Sequence, residues 1–134
     1  MTTTINASTS TGLSMTADGS GVVKLQSNGV TTNALAWVNF NGTTSPGTIR
    51  ASYNVSSVTR NSTGNYTINF ANALSDANYT ILGSTIGNTS SYTWVVTAVS
   101  APSTSSIAIQ TGRFDTTTGV LSNNDYVSVV IFGN

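Results

Sequence analysis

Glutamate is absent from this chain and lysine occurs once, so two of the commonest helix-forming residues are all but missing. Thr, Val, Ile, Ser, Asn and Gly dominate instead. β-Branched side chains lose rotamer freedom in a helix, and Ser and Asn compete for its backbone hydrogen bonds. The same residues suit strands and turns. No segment sustains a 3.6-residue apolar period. Residues 72–78 are the best helical candidate and are too short to hold a helix alone. An all-β fold is expected.

Alternation places the strands coarsely. Residues 1–12 are rich in Thr, Ser and Asn and read as an extended N-terminal arm or linker. Residues 13–134 read as one domain. Short strands are expected at 13–15 and 22–25, and longer ones at 34–40, 79–82, 92–99, 107–111 and 126–132. Asn28-Gly29, Asn41-Gly42 and Pro46-Gly47 are turn signals. Residues 49–70 read as a long hairpin, turned at Asn61-Ser62-Thr63-Gly64. Ile49, Ala51, Tyr53 and Val55 share one face there, and a bulge is expected near Ser56-Ser57 because Val58 falls out of phase. About eight strands, with turns at intervals of about 12 residues, fit an antiparallel β-sandwich, jelly-roll-like in its layering.

The chain has 134 residues, enough for one core, and its formal net charge is zero. It has no His or Cys, and only four acids and four bases. Ser, Thr and Asn make up 59 residues, so the surface is neutral and rich in hydroxyls and amides. Nucleic-acid binding is disfavoured without clustered Lys and Arg. No apolar run approaches the roughly 20 residues of a membrane helix, so no membrane insertion is expected. Residues 1–20 lack the charged and apolar regions of a secretory signal. A Ser–His or Cys–His arrangement is impossible without His. The four Asp are isolated in sequence, which places no carboxylate pair for glycoside cleavage. Asp18-Gly19-Ser20-Gly21 lacks the alternating acids of a Ca²⁺ loop. No metal, cofactor or enzymatic activity is expected.

Residues 126–132 are apolar on both faces: Tyr126, Val130 and Phe132 on one, Val127, Val129 and Ile131 on the other. A strand of this kind must be covered twice. In a small sandwich the second cover can be a sibling chain, and Val127, Val129 and Ile131 are the candidate subunit interface. Trp37 lies on a mixed face with Leu35 and Asn39, opposite the apolar Ala36, Val38 and Phe40. It suits the core or an interface, or else a sugar-facing surface. Arg113, Phe114 and Asp115 fall in the longest stretch without strand character, 112–124, and are candidate glycan or partner contacts. The alternative is an Arg113–Asp115 pair that pins the loop over Phe114. The loop at 84–91 is a second candidate. Arg50 has no evident partner; Asp76 is one option.

Asp18-Gly19-Ser20-Gly21-Val22-Val23-Lys24-Leu25-Gln26-Ser27-Asn28-Gly29 resembles a short β-turn segment that recurs in fibre and baseplate proteins of tailed bacteriophages. It precedes Ala36-Trp37-Val38-Asn39-Phe40-Asn41-Gly42-Thr43, Ile49-Arg50-Ala51-Ser52-Tyr53-Asn54-Val55-Ser56-Ser57-Val58-Thr59, Gly64-Asn65-Tyr66-Thr67-Ile68-Asn69-Phe70 and Asp76-Ala77-Asn78-Tyr79. That order is similar to a distal module of phage tail fibres and related virion appendages, including those of cyanobacterial and marine phages. The resemblance covers roughly residues 14–82. It implies a homotrimeric β-module of the virion, made in the host cytoplasm and held by other virion proteins. At a fibre tip such a module touches host-surface polysaccharide. Fibre proteins usually carry a long shaft and an N-terminal anchor, for which these residues have no room. The expectation is therefore a non-enzymatic tail-fibre or receptor-binding tip. The alternatives are a capsid decoration or cement protein and, more remotely, a polysaccharide-degrading enzyme.

Overall fold

The computed structural model describes residues 25–28, 30–86, 93–114 and 119–133. The expected arm at 1–12 and the strand at 13–15 lie outside them, as does most of the 22–25 strand. Among the described residues eleven strands follow one another: β1 (Gln26–Ser27), β2 (Val30–Thr31), β3 (Ala34–Asn41), β4 (Thr48–Tyr53), β5 (Val55–Ser62), β6 (Asn65–Phe70), β7 (Tyr79–Ile86), β8 (Thr93–Ala98), β9 (Ser106–Phe114), β10 (Gly119–Leu121) and β11 (Tyr126–Gly133). Eight of them, β3 to β9 and β11, have six or more residues. The segment 72–78 forms no helix, and none occurs among the described residues.

One sheet has the order β4-β3-β11-β7. A second, of five strands, runs β10-β9-β6-β5 with β8 also paired to β9, and β1 and β2 form a separate two-stranded sheet. All pairings are antiparallel. The two large sheets meet face to face, as the sandwich expectation requires. Consecutive strands within the two large sheets pair as hairpins (β3–β4, β5–β6, β8–β9, β9–β10), and the likeness to a jelly roll rests on the two layers.

Period-2 alternation decides what lies between the layers. From the first sheet come Ala36, Val38, Phe40, Val127, Val129 and Ile131; from the second, Val58, Tyr66, Ile68, Ile107 and Ile109. Each is at most 1% exposed. The Phe40 and Tyr66 rings meet edge to face across the layers, 5.1 Å between centroids. Phe70 and Tyr79 do the same at the margin, 6.0 Å apart. The edges of the two sheets come together where β7 passes β8. A Cβ at Gly83 would lie 2.6 Å from a Val96 methyl carbon, so only glycine lets these strands approach.

Val127, Val129 and Ile131 are therefore core, not a subunit interface. β11 is a central strand, and its inner face is covered by the second sheet of the same chain. The apolar residues left outside are those of the opposite face, Tyr126, Val130 and Phe132. The alternation was real; it did not say which face turned inward.

The long hairpin expected at 49–70 is also corrected. The chain leaves one sheet at Tyr53 and enters the other at Val55, so the hairpin is β5–β6 alone. Its expected bulge is present, between Val55 and Ser57. The corner is Asn54, which holds a left-handed backbone (φ 54°). Asn is among the non-glycine residues that tolerate this conformation best. Its side chain fixes the corner. Nδ2 donates to Leu35 O and Asn72 O, both at 3.2 Å, while Oδ1 accepts from Asn72 N at 2.8 Å.

Tyr66 is buried, yet its hydroxyl lies 2.9 Å from both Gly42 O and Asn123 Oδ1, which share its proton. Burial raises this phenol above its usual value of 10.0, against the pull of the Thr111 hydroxyl and the Arg60 charge. Burial raises Tyr79 likewise, against its hydrogen bond to Ser103 O.

Two outcomes are expected. Asn54→Ala should lower the free energy of unfolding in a urea titration by about 2 to 3 kcal/mol, through three lost hydrogen bonds and a strained φ. Asn54→Gly should fall between that variant and the parent, because it relieves only the strain. A group raised on folding stabilises fully below its unfolded value and less as pH climbs toward the folded one. The urea midpoint should therefore drop above pH 10.0, the ordinary tyrosine value. Tyr66→Phe should flatten that drop while lowering the midpoint at neutral pH.

Candidate functional site

The outer face of the first sheet carries a row of large apolar side chains. Register places Tyr53, Trp37, Val130 and Leu82 side by side across β4, β3, β11 and β7. With strands about 4.8 Å apart, the row is about 14 Å wide. Trp37 is 37% exposed and Leu82 58%, while Tyr53 and Val130 are half-buried. Phe132, half-buried, extends the patch toward one end. The next row toward the other end is small and mostly polar: Ala51, Asn39, Ser128 and Ser84. Asn39 Nδ2 donates to Ser128 Oγ at 2.8 Å within it. Beyond it, Tyr126 and Ile86 pair on β11 and β7, 47% and 66% exposed. The face is thus banded, apolar, polar and apolar, and none of these residues is charged.

The outer face of the second sheet is its chemical opposite. Its rows read Ser57, Asn69 and Ser106, then Thr59, Thr67 and Ala108. Asn69 Nδ2 donates to Ser57 Oγ at 3.0 Å and Thr59 Oγ1 at 3.3 Å, and Asn61 Nδ2 to Thr67 Oγ1 at 2.9 Å. Amides and hydroxyls satisfy one another there, where most proteins place charges.

At one end of the sandwich the β3–β4 and β10–β11 loops enclose a groove of about 320 Å³, lined by Thr43, Ile86 and residues 122–126. Its floor is tied to the core. Asn123 Oδ1 accepts from Gly64 N at 2.8 Å as well as from Tyr66. Asn124 is buried, and its Nδ2 donates to Thr85 Oγ1 at 2.9 Å. Its carbonyl accepts from Gly42 N at 2.8 Å. A Cβ at Gly42 would lie 2.5 Å from the Tyr66 hydroxyl oxygen and 2.9 Å from that carbonyl, so the loop closes only around glycine.

The rim is held by Arg50. Its Nη2 bonds Asp125 Oδ1 at 2.6 Å and its Nη1 donates to Asp125 O at 2.6 Å. The same guanidinium lies over the Tyr126 ring, 4.1 Å from its centroid. The partner considered for Arg50, Asp76, instead accepts from Asn78 N at 2.7 Å. Neither Asp125 nor Tyr126 stood out in the sequence as a contact residue, because the bond to Arg50 spans 75 positions. The turn-rich run Ser122-Asn123-Asn124-Asp125 before an apolar strand was the only local signal.

Trp37 lies on an outer face and not in the core. Its neighbour Leu35 is buried, because the register shifts where β3 passes Phe132. Arg113 is half-buried near the end of β9, between Trp94 of β8 and Val120 of β10, and borders a groove of about 240 Å³. Phe114 closes β9, paired with Gly119 and Thr93. Asp115 lies outside the described residues. The expected loop at 112–124 is thereby corrected: residues 112–114 and 119–121 are the arms of a β9–β10 hairpin. Val120 and Leu121 extend there as a strand that a search for longer alternation passes over. The loop at 84–91 is corrected in part, since Ser84 to Ile86 belong to β7 and the rest lies outside the described residues. The structure does not bring Trp37 and Arg113 into one site, since they occupy different sheets. Compared with protein-family models, characterised proteins and solved structures, the chain matches none.

Proposed function

We propose that the chain is a non-enzymatic structural module of a bacteriophage virion, a tail-fibre or receptor-binding tip that works as a homotrimer against host-surface glycan. The observation that carries this reading is the uncharged row Tyr53, Trp37, Val130 and Leu82 on an outer face. A contiguous apolar row rimmed by polar residues suits contact with a partner. A chain without net charge has little long-range repulsion to keep its copies apart. The fibre-like order of segments supports the same assignment. Hydroxyls and amides dominate the remaining surface and suit polar glycans. Such contacts are individually weak, so attachment rests on several copies acting together.

A second reading, a capsid decoration or cement protein, is favoured by the contrast between the two outer faces. An apolar face laid on capsid protein and a hydroxyl–amide face turned to water would use both.

Sedimentation equilibrium of the purified chain should give a trimer, and a stable monomer would overturn the assembly. Trp37→Glu and Leu82→Glu alter exposed positions, so the chain should still fold but dissociate. Binding to host cells that surface polysaccharide competes away supports the tip. Binding to empty capsids without it supports the cement protein.

A further inference from the structure

The end groove pairs an aromatic ring with a carboxylate, amides and hydroxyls; Arg50 holds the first two in place and the core holds the amides. We infer that it is a saccharide-binding site, with Tyr126 as the stacking surface and Asp125 as the principal hydrogen-bond acceptor. The inference rests on the glycan-contact reading above and assigns that contact to residues outside the apolar row.

A sugar ring offers an apolar C–H face and an edge of neighbouring hydroxyls that both donate and accept. Tyr126 offers an apolar ring to the first. For the second, Asp125 Oδ1 is engaged by Arg50, while among the described residues nothing donates to Oδ2. Ser122 and Thr43 add hydroxyls, and Asn123 and Asn124 add amides. The Arg50–Asp125 pair leaves the rim formally neutral, which favours a neutral ligand over a phosphate or an ammonium group.

Preorganisation is the second argument. Arg50 backs both Asp125 and Tyr126 without lining the groove. Asn123 and Asn124 are tied to Tyr66, Gly64, Gly42 and Thr85. A ligand therefore has few rotamers to freeze. At about 320 Å³ the groove suits a short oligosaccharide end rather than a long chain.

The full chain, ¹⁵N-labelled, would be titrated with methyl glycosides of glucose, galactose, mannose, rhamnose and N-acetylglucosamine, and with purified host-surface polysaccharide. Amide shifts should concentrate at Thr43 and residues 122–126. Tyr126→Ala and Asp125→Ala should each weaken binding about tenfold, the loss of one stacking or charge-assisted contact. Tyr126→Phe keeps the ring and should retain binding. Thr43→Trp, which fills the groove from its lip, should abolish binding and guards against loss of fold in the other variants. Thr59→Ala, on the opposite sheet, should change nothing. Shifts centred elsewhere, with groove variants binding normally, would overturn this site and leave the glycan reading intact. If no saccharide shifts any amide and the chain ignores host cells, both fall.

Discussion

The centre of the molecule is set by one packing constraint: β3 and β11 must lay their inner side chains against β6 and β9. These four strands supply Phe40, Tyr66, Val127, Val129, Ile107 and Ile109, all essentially sealed from water. Fully burying a side chain of this kind contributes about 1.5 to 3 kcal/mol. Nothing else described here approaches that sum. The chain has no cysteine from which a disulfide could add to it, and the Arg50–Asp125 ion pair is partly exposed, where such pairs contribute little. The edge strands β4, β5, β7 and β8 are positioned by the centre and owe their geometry to it.

Two small residues make that arrangement possible at its margins. Asn54 turns the chain from one layer to the other within a single residue, and Gly83 lets the opposite edge close against Val96. Between them the layers are joined at one side and pressed together at the other. The end groove depends on the same core, because the Tyr66 hydroxyl reaches through it to the loops. Positioning of the rim and stability of the fold therefore share a side chain.

The strands were legible because alternation is a local signal. It located 34–40 and 126–132 closely, found the middle of β9 at 107–111, and gave the bulge after Val55. It could not say which face of 126–132 turns inward, since both are apolar and only the position of β11 between β3 and β7 decides. Asn54 was invisible for a related reason: Tyr53 and Val55 continue the alternation straight through it. The β9–β10 hairpin escaped notice because its second arm is three residues long. The Arg50–Asp125–Tyr126 cluster joins strands far apart in sequence, and no local pattern reports such a meeting.

The lattice of Ser, Thr and Asn on the second sheet has a consequence for the medium this protein can inhabit. Dissolved ions weaken attractions between exposed charges by shielding them, and the effect deepens as brine becomes more concentrated. A surface joined by neutral dipoles offers that shielding almost nothing to act upon. Contacts such as those from Asn69 to Ser57 and Thr59 operate as well in seawater as in a dilute buffer.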